Sequence, residues 1–504
     1  MSDEVSIRGQ RGADSGDQPL AGSAQEGLPA PKPERWKERI SRNLIALTVA
    51  RGVTTVFTLL LTAYLTRTLE PQAYGILGFG TALLSYFLLF TRLGFDVVGV
   101  REVARAPERV IELTGTITGI QFILSVTAYV LYAMVVLLLP KSGLFKLVLL
   151  VQGLALFAQA ISMEWVYQGV ERMGVLAVRS VAIAVLHLAA VLFFVHSPED
   201  VLLAAAAQVG ALLLLNGWLV FTLVRNFGRF RLHWNLQAWR ALLPSALPIA
   251  ASTFMIGVFY NLDLVMLGVF RGEAEVGLYT ASVRALTAVL IPAIVIAQAF
   301  FPALSHVHEQ LPLMRERARR FAALMLPVGL PLATATALLA HPLIVLFAGD
   351  VYAPAASAFA LLMVNAGVVY VNMTLGQPIL AWNREKAYMA ILGGGALLDV
   401  VLNLFLIPRY GIVGAASTTV LAQGMVGAGL AIVHIRLVHQ AYLGLLARTA
   451  VATALGVVVP IVLLQRVDAP LLLILLAIAG SYSLAAWLFR LLPMATLRRL
   501  LARS

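Results

Sequence analysis

Residues 43–66 read NLIALTVARGVTTVFTLLLTAYLT, an apolar run with a single internal charge, Arg51. A run of about 20 apolar residues crosses the hydrocarbon core of a bilayer as one helix. Similar runs recur along the chain, and we expect about fourteen of them. They lie near 43–66, 74–98, 113–139, 144–168, 174–195, 201–224, 242–270, 277–304, 320–347, 355–380, 387–407, 411–435, 446–465 and 469–491. The sequence therefore predicts an all-α polytopic membrane protein.

The loops between these runs alternate between arginine-rich and arginine-poor. The loop after the sixth run carries Arg225, Arg229, Arg231 and Arg240, whereas the loop after the seventh carries only Arg271. Cytoplasmic loops hold the excess of Lys and Arg in membrane proteins. This pattern predicts a multi-pass protein of the cell inner (cytoplasmic) membrane, with both termini in the cytoplasm.

A weak internal repeat suggests how the helices are grouped. Residues 70–77 read EPQAYGIL and resemble residues 273–279, EAEVGLY, and both segments follow one apolar helix and open another. A repeat with an even number of helices keeps its orientation in the membrane, so an axis along the membrane normal would relate the two copies. We expect two six-helix bundles around a central cavity, followed by two accessory helices. The predicted segments are a disordered cytoplasmic tail at 1–33, an N-terminal bundle at 34–228, a C-terminal bundle at 229–440, and the accessory helices with a cytoplasmic tail at 441–504.

Composition excludes several classes of function. Hydrophobic residues make up 60% and charged residues 12% of the chain, against a globular norm of about 25% charged. The net charge is +12, and the Lys and Arg residues lie mainly in loops between apolar runs. Membrane topology explains this distribution better than nucleic-acid binding does. The chain has no cysteine, and no catalytic set, metal-ligand spacing or phosphate-binding loop stands in its short loops. We therefore expect no enzyme activity, no cofactor, no metal and no nucleic-acid partner.

The first helix carries a polar stripe at spacings of three and four residues, formed by Thr48, Arg51, Thr55, Thr58 and Thr62. In one interpretation the Arg snorkels to the headgroups and the threonines bond to their own helix. In the other, the stripe lines a water-filled cavity and the guanidinium meets an anion. An arginine inside a membrane helix is expensive, by about 2.5–3.5 kcal/mol on insertion scales. We favour the cavity.

Other charges interrupt the later helices. Arg284 and Asp263 lie at similar depths in neighbouring helices, so Arg284 either pairs with Asp263 or binds substrate. Arg92 and Asp96 are four residues apart near the end of the second helix, which favours a local ion pair. Asp399 is a further carboxylate inside a helix. These charged residues are candidates for ion pairing or for coupling to an ion gradient.

Six segments together resemble a known family. The chain is similar to the polysaccharide-repeat (Wzx-type) flippases of the multidrug/oligosaccharidyl-lipid/polysaccharide exporter superfamily. The segments carrying the resemblance are TRTLEPQAYG at 66–75, RLGFD at 92–96, EWVYQGVERM at 164–173, DLVMLG at 263–268, VGLYTA at 276–281 and NLFLIPRYGIVGA at 403–415. They span the first twelve predicted helices.

This resemblance implies a function. Such a protein moves an undecaprenyl-diphosphate-linked oligosaccharide from the inner to the outer leaflet by alternating access, for cell-surface polysaccharide biosynthesis. The diphosphate would meet Arg51 and Arg284, and the threonines of the stripe would line its path. The implied partners are the lipid-linked oligosaccharide, the bilayer and a glycan polymerase or glycosyltransferase. The alternatives are a cation-coupled multidrug exporter of the same superfamily, a lipid II flippase, and a non-transporting scaffold for glycan assembly.

Overall fold

The computed structural model describes residues 33–307, 310–439 and 442–491. Side chains are described from residue 49 onward, except those of 251–252, 254–256 and 258–260. The predicted tail at 1–33 lies outside the described residues apart from Pro33, as does the chain beyond 491. Every regular element within the described ranges is helical, which confirms the predicted fold class. The site described below lies within one compact unit, Ala46–Ser504.

The helices of the first half follow one another with short connections. They are α1 (Pro33–Arg92), α2 (Phe95–Arg105), α3 (Val110–Leu138), α4 (Gly143–Gly153), α5 (Ala155–Ala160), α6 (Glu164–Gly169), α7 (Met173–Phe194) and α8 (Val201–Phe227). Short 3-10 turns at Pro107–Arg109 and Pro198–Asp200 begin the helices that follow them. The predicted helix at 144–168 is divided here into α4, α5 and α6.

The second half continues in the same way. Its helices are α9 (Leu236–Phe270), α10 (Glu273–Val289), α11 (Ile291–Ser305), α12 (Leu311–Leu338), α13 (Ala340–Ala348), α14 (Ala356–Ala381), α15 (Glu385–Val438), α16 (Leu443–Thr453), α17 (Val459–Gln465) and α18 (Leu471–Leu488). A 3-10 segment at Asp350–Ala355 precedes α14, and a π-helical turn at Ala454–Val458 joins α16 to α17.

Among the described residues, eleven helical stretches are long and apolar enough to cross a membrane. Two of them, Val49–Arg105 and Glu385–Val438, are much longer than one crossing requires. Each is broken by a residue with positive φ, Glu70 (58°) and Gly411 (56°). Pro71 and Pro408 lie beside these breaks and cannot donate a helical hydrogen bond. The predicted boundaries near these positions are therefore kinks, and the total of fourteen spans stays a prediction.

The two copies of the predicted repeat have the same local geometry. Glu70 precedes the second part of α1 with φ 58° and ψ 171°, and Gly272 precedes α10 with φ 98° and ψ 178°. Each of these residues lies five positions before the glycine of its segment, Gly75 or Gly277. A non-glycine residue in this region of backbone space is strained by about 1–3 kcal/mol. The strained residue Glu70 thus lies at the kink that separates the two parts of α1.

The repeated segments also contact each other. A Cβ atom added at Gly75 would lie 2.7 Å from the carbonyl carbon of Glu273, and one added at Gly277 would lie 2.7 Å from that of Pro71. The contact is reciprocal. Gly75 faces Glu273, four residues before Gly277, and Gly277 faces Pro71, four residues before Gly75. Two helices can approach this closely only where both lack a side chain. This arrangement is the one expected of a duplicated unit packed about a pseudo-two-fold axis.

The C-terminal helices pack against α12. The Tyr482 hydroxyl of α18 donates to the carbonyl oxygen of Pro327 at 2.5 Å, and the Ser481 hydroxyl donates to that of Gly456 at 2.7 Å. Leu339 and Val457 belong to a small apolar cluster at the same interface. The segment from α16 to α18 therefore packs together and against α12, and its separation as accessory helices stays a prediction.

Candidate functional site

The crossing of α1 and α10 forms one end of a cavity. Around it, the Lys141 Nζ and the Glu273 Oε1 form an ion pair at 2.9 Å, and the Arg67 Nη2 donates to the carbonyl oxygen of Leu346 at 2.6 Å. These contacts join residues from both halves of the chain and close this end. It is the end that carries the arginine-poor loops, which the sequence predicts to lie outside.

A first chamber begins one turn beyond the crossing, with a volume of about 180 Å³. It is bounded by α1, α7, α8 and α10. Its lining consists of Thr58, Leu61, Thr62, Leu65, Tyr74, Leu77, Gly78, Thr81, His187, Ala204, Gln208, Thr280 and Arg284. We call this space chamber 1. Thr58, Thr62 and Arg284 are residues that the sequence predicted for the cavity.

Arg284 gives chamber 1 its charge. The guanidinium lies beside the Tyr74 hydroxyl, which also lies near the hydroxyl of Thr62. Among the residues that the structure describes, no carboxylate forms an ion pair with Arg284, and neither Asp nor Glu lines the chamber. An arginine presents a planar fork of N–H donors that matches a phosphate group. Chamber 1 is thus suited to an anion.

Thr280 adds a hydrogen-bonding group without a partner. Its hydroxyl is buried and has no hydrogen-bond partner in the described part of the chain. It sits one turn before Arg284 on α10 and faces Gly78, where any side chain would overlap it. A buried polar atom without a partner is unfavourable by about 1–3 kcal/mol. This hydroxyl lies at the contact of α1 and α10, beside the lining of chamber 1.

A second chamber, of about 320 Å³, lies between α1 and α7. We call it chamber 2. Its lining comprises Thr54, Phe57, Thr58, Leu61, Arg179, Ser180, Ile183, Ala184 and His187. The spacings of three and four residues put each helix's contribution on one face. Thr58, Leu61 and His187 line both chambers, which makes the two spaces neighbours.

The Arg92–Asp96 pair predicted from the sequence is present, with 3.7 Å between Nε and Oδ2. The Arg92 Nη2 also donates to the Gln159 Oε1 at 2.9 Å, and the Gln121 Nε2 donates to the Asp96 Oδ1 at 2.7 Å. The pair therefore ties α1, α2, α3 and α5 together. Its contacts are those of a structural network inside the N-terminal half.

Asp263 lies in a different cluster from Arg284. Its Oδ2 accepts from the Tyr279 hydroxyl at 2.9 Å and from the Thr419 hydroxyl at 3.1 Å. The Asn403 Nδ2 bridges two carboxylates, donating to the Asp263 Oδ1 at 2.8 Å and to the Asp399 Oδ2 at 3.0 Å. The Asp263–Arg284 pair that the sequence left open is thus not formed among the described residues.

The carboxylate cluster is buried, and its charge is not balanced by a cation. Asp263 is 8% and Asp399 2% exposed, and no Lys or Arg pairs with either one within the described ranges. The Asp399 Oδ1 is buried without a hydrogen-bond partner there. Two carboxylates so close together are strongly unfavourable unless one binds a proton or a cation. No group of three or more metal-binding acidic or histidine side chains occurs in the described part of the chain.

The remaining predicted site residues lie elsewhere. Arg51 is exposed, its carbonyl oxygen accepts from the hydroxyls of Thr54 and Thr55, and neither described chamber lining includes it or Thr55. The side chain of Thr48 lies outside the described residues. The role of these three residues in binding stays a prediction.

Sequence reasoning missed several polar residues of the chambers, among them Tyr74, Arg179, His187 and Gln208. Arg179 and His187 were visible as isolated polar residues inside an apolar helix, a position that in membrane proteins usually faces a cavity. Tyr74 belongs to the repeated segment, and only its packing reveals its direction. Gln208 gave no periodic signal of its own.

The chain matches the model of the family described as "Polysaccharide biosynthesis protein" over residues 40–308, more than half of its length. A protein of Escherichia coli (strain K12) named "Putative O-antigen transporter" is 25% identical over 402 residues, which cover 77% of this chain and 95% of that protein. A relative of the same name from Shigella dysenteriae is 22% identical and covers 74% of this chain and 94% of its own.

Solved structures share the fold. The lipid II flippase MurJ in an inward closed conformation superposes with a TM-score of 0.71 at 11% identity, covering 88% of this chain and 98% of that one. An inward-facing multidrug resistance MATE family transporter of the MOP superfamily gives a TM-score of 0.62 at 14% identity, covering 78% and 98%. At these identities the likeness concerns the fold alone. By the family match, this chain belongs to the polysaccharide biosynthesis protein family.

Proposed function

We propose that the protein is a flippase that carries a polyprenyl-diphosphate-linked oligosaccharide from the inner to the outer leaflet of the cytoplasmic membrane. The observation that carries this proposal is the unpaired guanidinium of Arg284 in a chamber whose described lining has no carboxylate. A diphosphate is the anion that such a site fits. The polyprenyl tail would stay in lipid while the head group occupies the cavity.

The relatives support this substrate class. Proteins named for O-antigen transport match most of the chain, and the fold is shared with a lipid II flippase. The closed end with the arginine-poor loops fits a molecule open toward the cytoplasm, where the lipid-linked substrate would enter. In this orientation both termini lie in the cytoplasm. Contact with a glycan polymerase or glycosyltransferase stays a prediction.

The alternative of a multidrug exporter is less well supported. Cationic drugs need acidic residues in the binding cavity, and the described linings of both chambers contain none. The buried Asp263 and Asp399 belong to a separate cluster with its own hydrogen bonds.

We infer that this carboxylate cluster couples transport to an ion gradient. It joins α9, α10 and α15, because Asp263, Tyr279 and Asn403 come from these three helices. Binding or release of a proton or a monovalent cation would change the net charge at their junction. Since α10 also carries Arg284 and forms the crossing at Gly277, a change in its packing would reach both the binding site and the closed end.

The proposal is tested in cells that lack the gene. Lipid-linked oligosaccharide should accumulate on the inner leaflet, and the intact gene should restore export. Arg284→Ala and Arg51→Ala should both fail to restore it, whereas Arg320→Ala should succeed, because Arg320 is exposed and paired with Glu316 on its own helix. Full rescue by Arg284→Ala would refute the binding site, and full rescue by Arg51→Ala would remove Arg51 from it. The proposed function would be refuted if cells lacking the gene kept their surface polysaccharide unchanged and cells expressing it became resistant to drugs.

A further inference from the structure

Chamber 2 differs from chamber 1 in its chemistry. It lies between a face of α1 that carries Thr54 and Phe57 and a face of α7 that carries Arg179, Ser180 and His187. Its volume of about 320 Å³ falls within the range of about 300–1,000 Å³ that is typical of small-ligand sites. The diphosphate proposed for chamber 1 leaves this space unused.

The charge of Arg179 is already balanced. Its Nη1 forms an ion pair with the Glu164 Oε1 at 2.6 Å, and its Nε and Nη2 both donate to the Asn216 Oδ1. The Asn216 Nδ2 donates in turn to the carbonyl oxygen of Ala158 at 2.6 Å, which fixes the orientation of the amide. Arg179 is 6% exposed. It therefore offers its remaining N–H groups as donors without an excess positive charge.

The hydroxyl groups of chamber 2 are available as acceptors. Thr54 donates to the carbonyl oxygen of Arg51 at 3.0 Å, Thr58 to that of Thr54 at 2.8 Å, and Ser180 to that of Leu176 at 2.9 Å. Because each hydroxyl proton is engaged, only the oxygen lone pairs remain for a ligand. Such oxygens attract an O–H donor and repel a phosphate or carboxylate oxygen. The two chambers differ in their cation: the guanidinium of Arg179 is already paired with Glu164, whereas no carboxylate pairs with Arg284 among the described residues, so chamber 1 is the one that attracts an anion.

A neutral sugar ring matches this mixture of groups. Its hydroxyls would donate to the oxygens of Thr54 and Ser180 and accept from Arg179, and its C–H face would lie against Phe57. Chamber 2 adjoins chamber 1 through Thr58 and His187, as sugar and diphosphate adjoin in one molecule. We propose that chamber 2 binds an uncharged sugar ring of the substrate, next to the diphosphate in chamber 1. This inference rests on the proposed function.

The test measures binding to the purified full-length chain in detergent. The probes are undecaprenyl diphosphate alone, and the same lipid carrying N-acetylglucosamine, galactose, mannose or glucuronic acid. The wild type should bind at least one of the three neutral glycolipids more tightly than the bare lipid, and the glucuronic acid form no more tightly. Thr54→Val and Ser180→Ala should each reduce this preference about fivefold, the worth of one hydrogen bond, and leave the affinity for bare lipid unchanged.

Thr336→Val is the matched control, because its hydroxyl also bonds within its own helix, at 2.8 Å to Leu332, but lies outside the described linings of both chambers. The inference is overturned if the bare lipid binds and no neutral sugar improves its affinity. It is also overturned if Thr54→Val lowers the affinity for the bare lipid as much as the affinity for the glycosylated lipids. If the wild type binds no probe at all, the proposed function itself has failed.

Discussion

The closed end of the cavity should depend on the two glycines at the crossing of α1 and α10. A Cβ added at Gly277 would lie 2.7 Å from the carbonyl carbon of Pro71, whereas ordinary contacts of a Cβ begin near 3.4 Å. Because the added Cβ would also overlap the carbonyl oxygen of Pro71, Gly277→Ala must separate the helices by more than the 0.7 Å that the carbon contact alone requires. Overpacking of this kind is unfavourable by about 1–3 kcal/mol, so the closed conformation should lose roughly 5- to 150-fold in relative population.

Cross-linking measures this loss directly. The chain has no cysteine, so Lys141→Cys with Glu273→Cys places the only two thiols at an ion pair that spans the closed end. A short thiol-reactive cross-linker should join them quickly in the wild-type background and much more slowly with Gly277→Ala.

Gly217→Ala is the control, because an added Cβ at that helical glycine meets nothing within 4 Å. It should cross-link at the wild-type rate. If Gly277→Ala, as a monodisperse protein, cross-links as fast as Gly217→Ala, the crossing does not hold this end closed.

Three further predictions concern stability and coupling. Glu70→Gly should raise the thermal unfolding midpoint in detergent, by relieving roughly 1 kcal/mol of the strain at φ 58°, and a lower midpoint would contradict this. Asn216→Ala should lower the stability by about 1–3 kcal/mol, because it leaves buried N–H groups of Arg179 without a partner, and an unchanged unfolding curve would show that the network is dispensable. Asp399→Asn should abolish the response of transport in vesicles to an imposed ion gradient and leave lipid binding intact. Gradient-dependent transport by this variant would remove the cluster from the coupling mechanism.

Much of the architecture could be predicted from the sequence, because the bilayer imposes strong rules on it. Apolar runs of fixed length gave the helices. Periodicity put Thr58 and Thr62 on one face, and both line chamber 1. The isolated charge of Arg284 made it a candidate for the cavity, because an arginine that faces lipid is strongly unfavourable, but the sequence left pairing with Asp263 equally open.

The rest depended on packing between distant segments. Whether Asp263 meets Arg284 or Asn403 is decided by how α9, α10 and α15 pack, and no local pattern encodes that choice. The first part of the polar stripe stays a prediction, because Arg51 and Thr55 are absent from the described chamber linings and the side chain of Thr48 lies outside the described residues. Arg179 was visible only as an isolated charge inside an apolar helix, and its partners, Glu164 and Asn216, are separated from it by 15 and 37 residues.

The most direct test of the central claim is the rate at which proteoliposomes transfer an undecaprenyl-diphosphate-linked sugar between leaflets. The wild type should exceed protein-free vesicles. Arg284→Gln should be at least roughly tenfold slower, since a charge-assisted hydrogen bond contributes about 1.5–3 kcal/mol. Arg320→Gln should match the wild type. Equal rates for Arg284→Gln and the wild type, or a wild-type rate no higher than that of empty vesicles, would contradict the account.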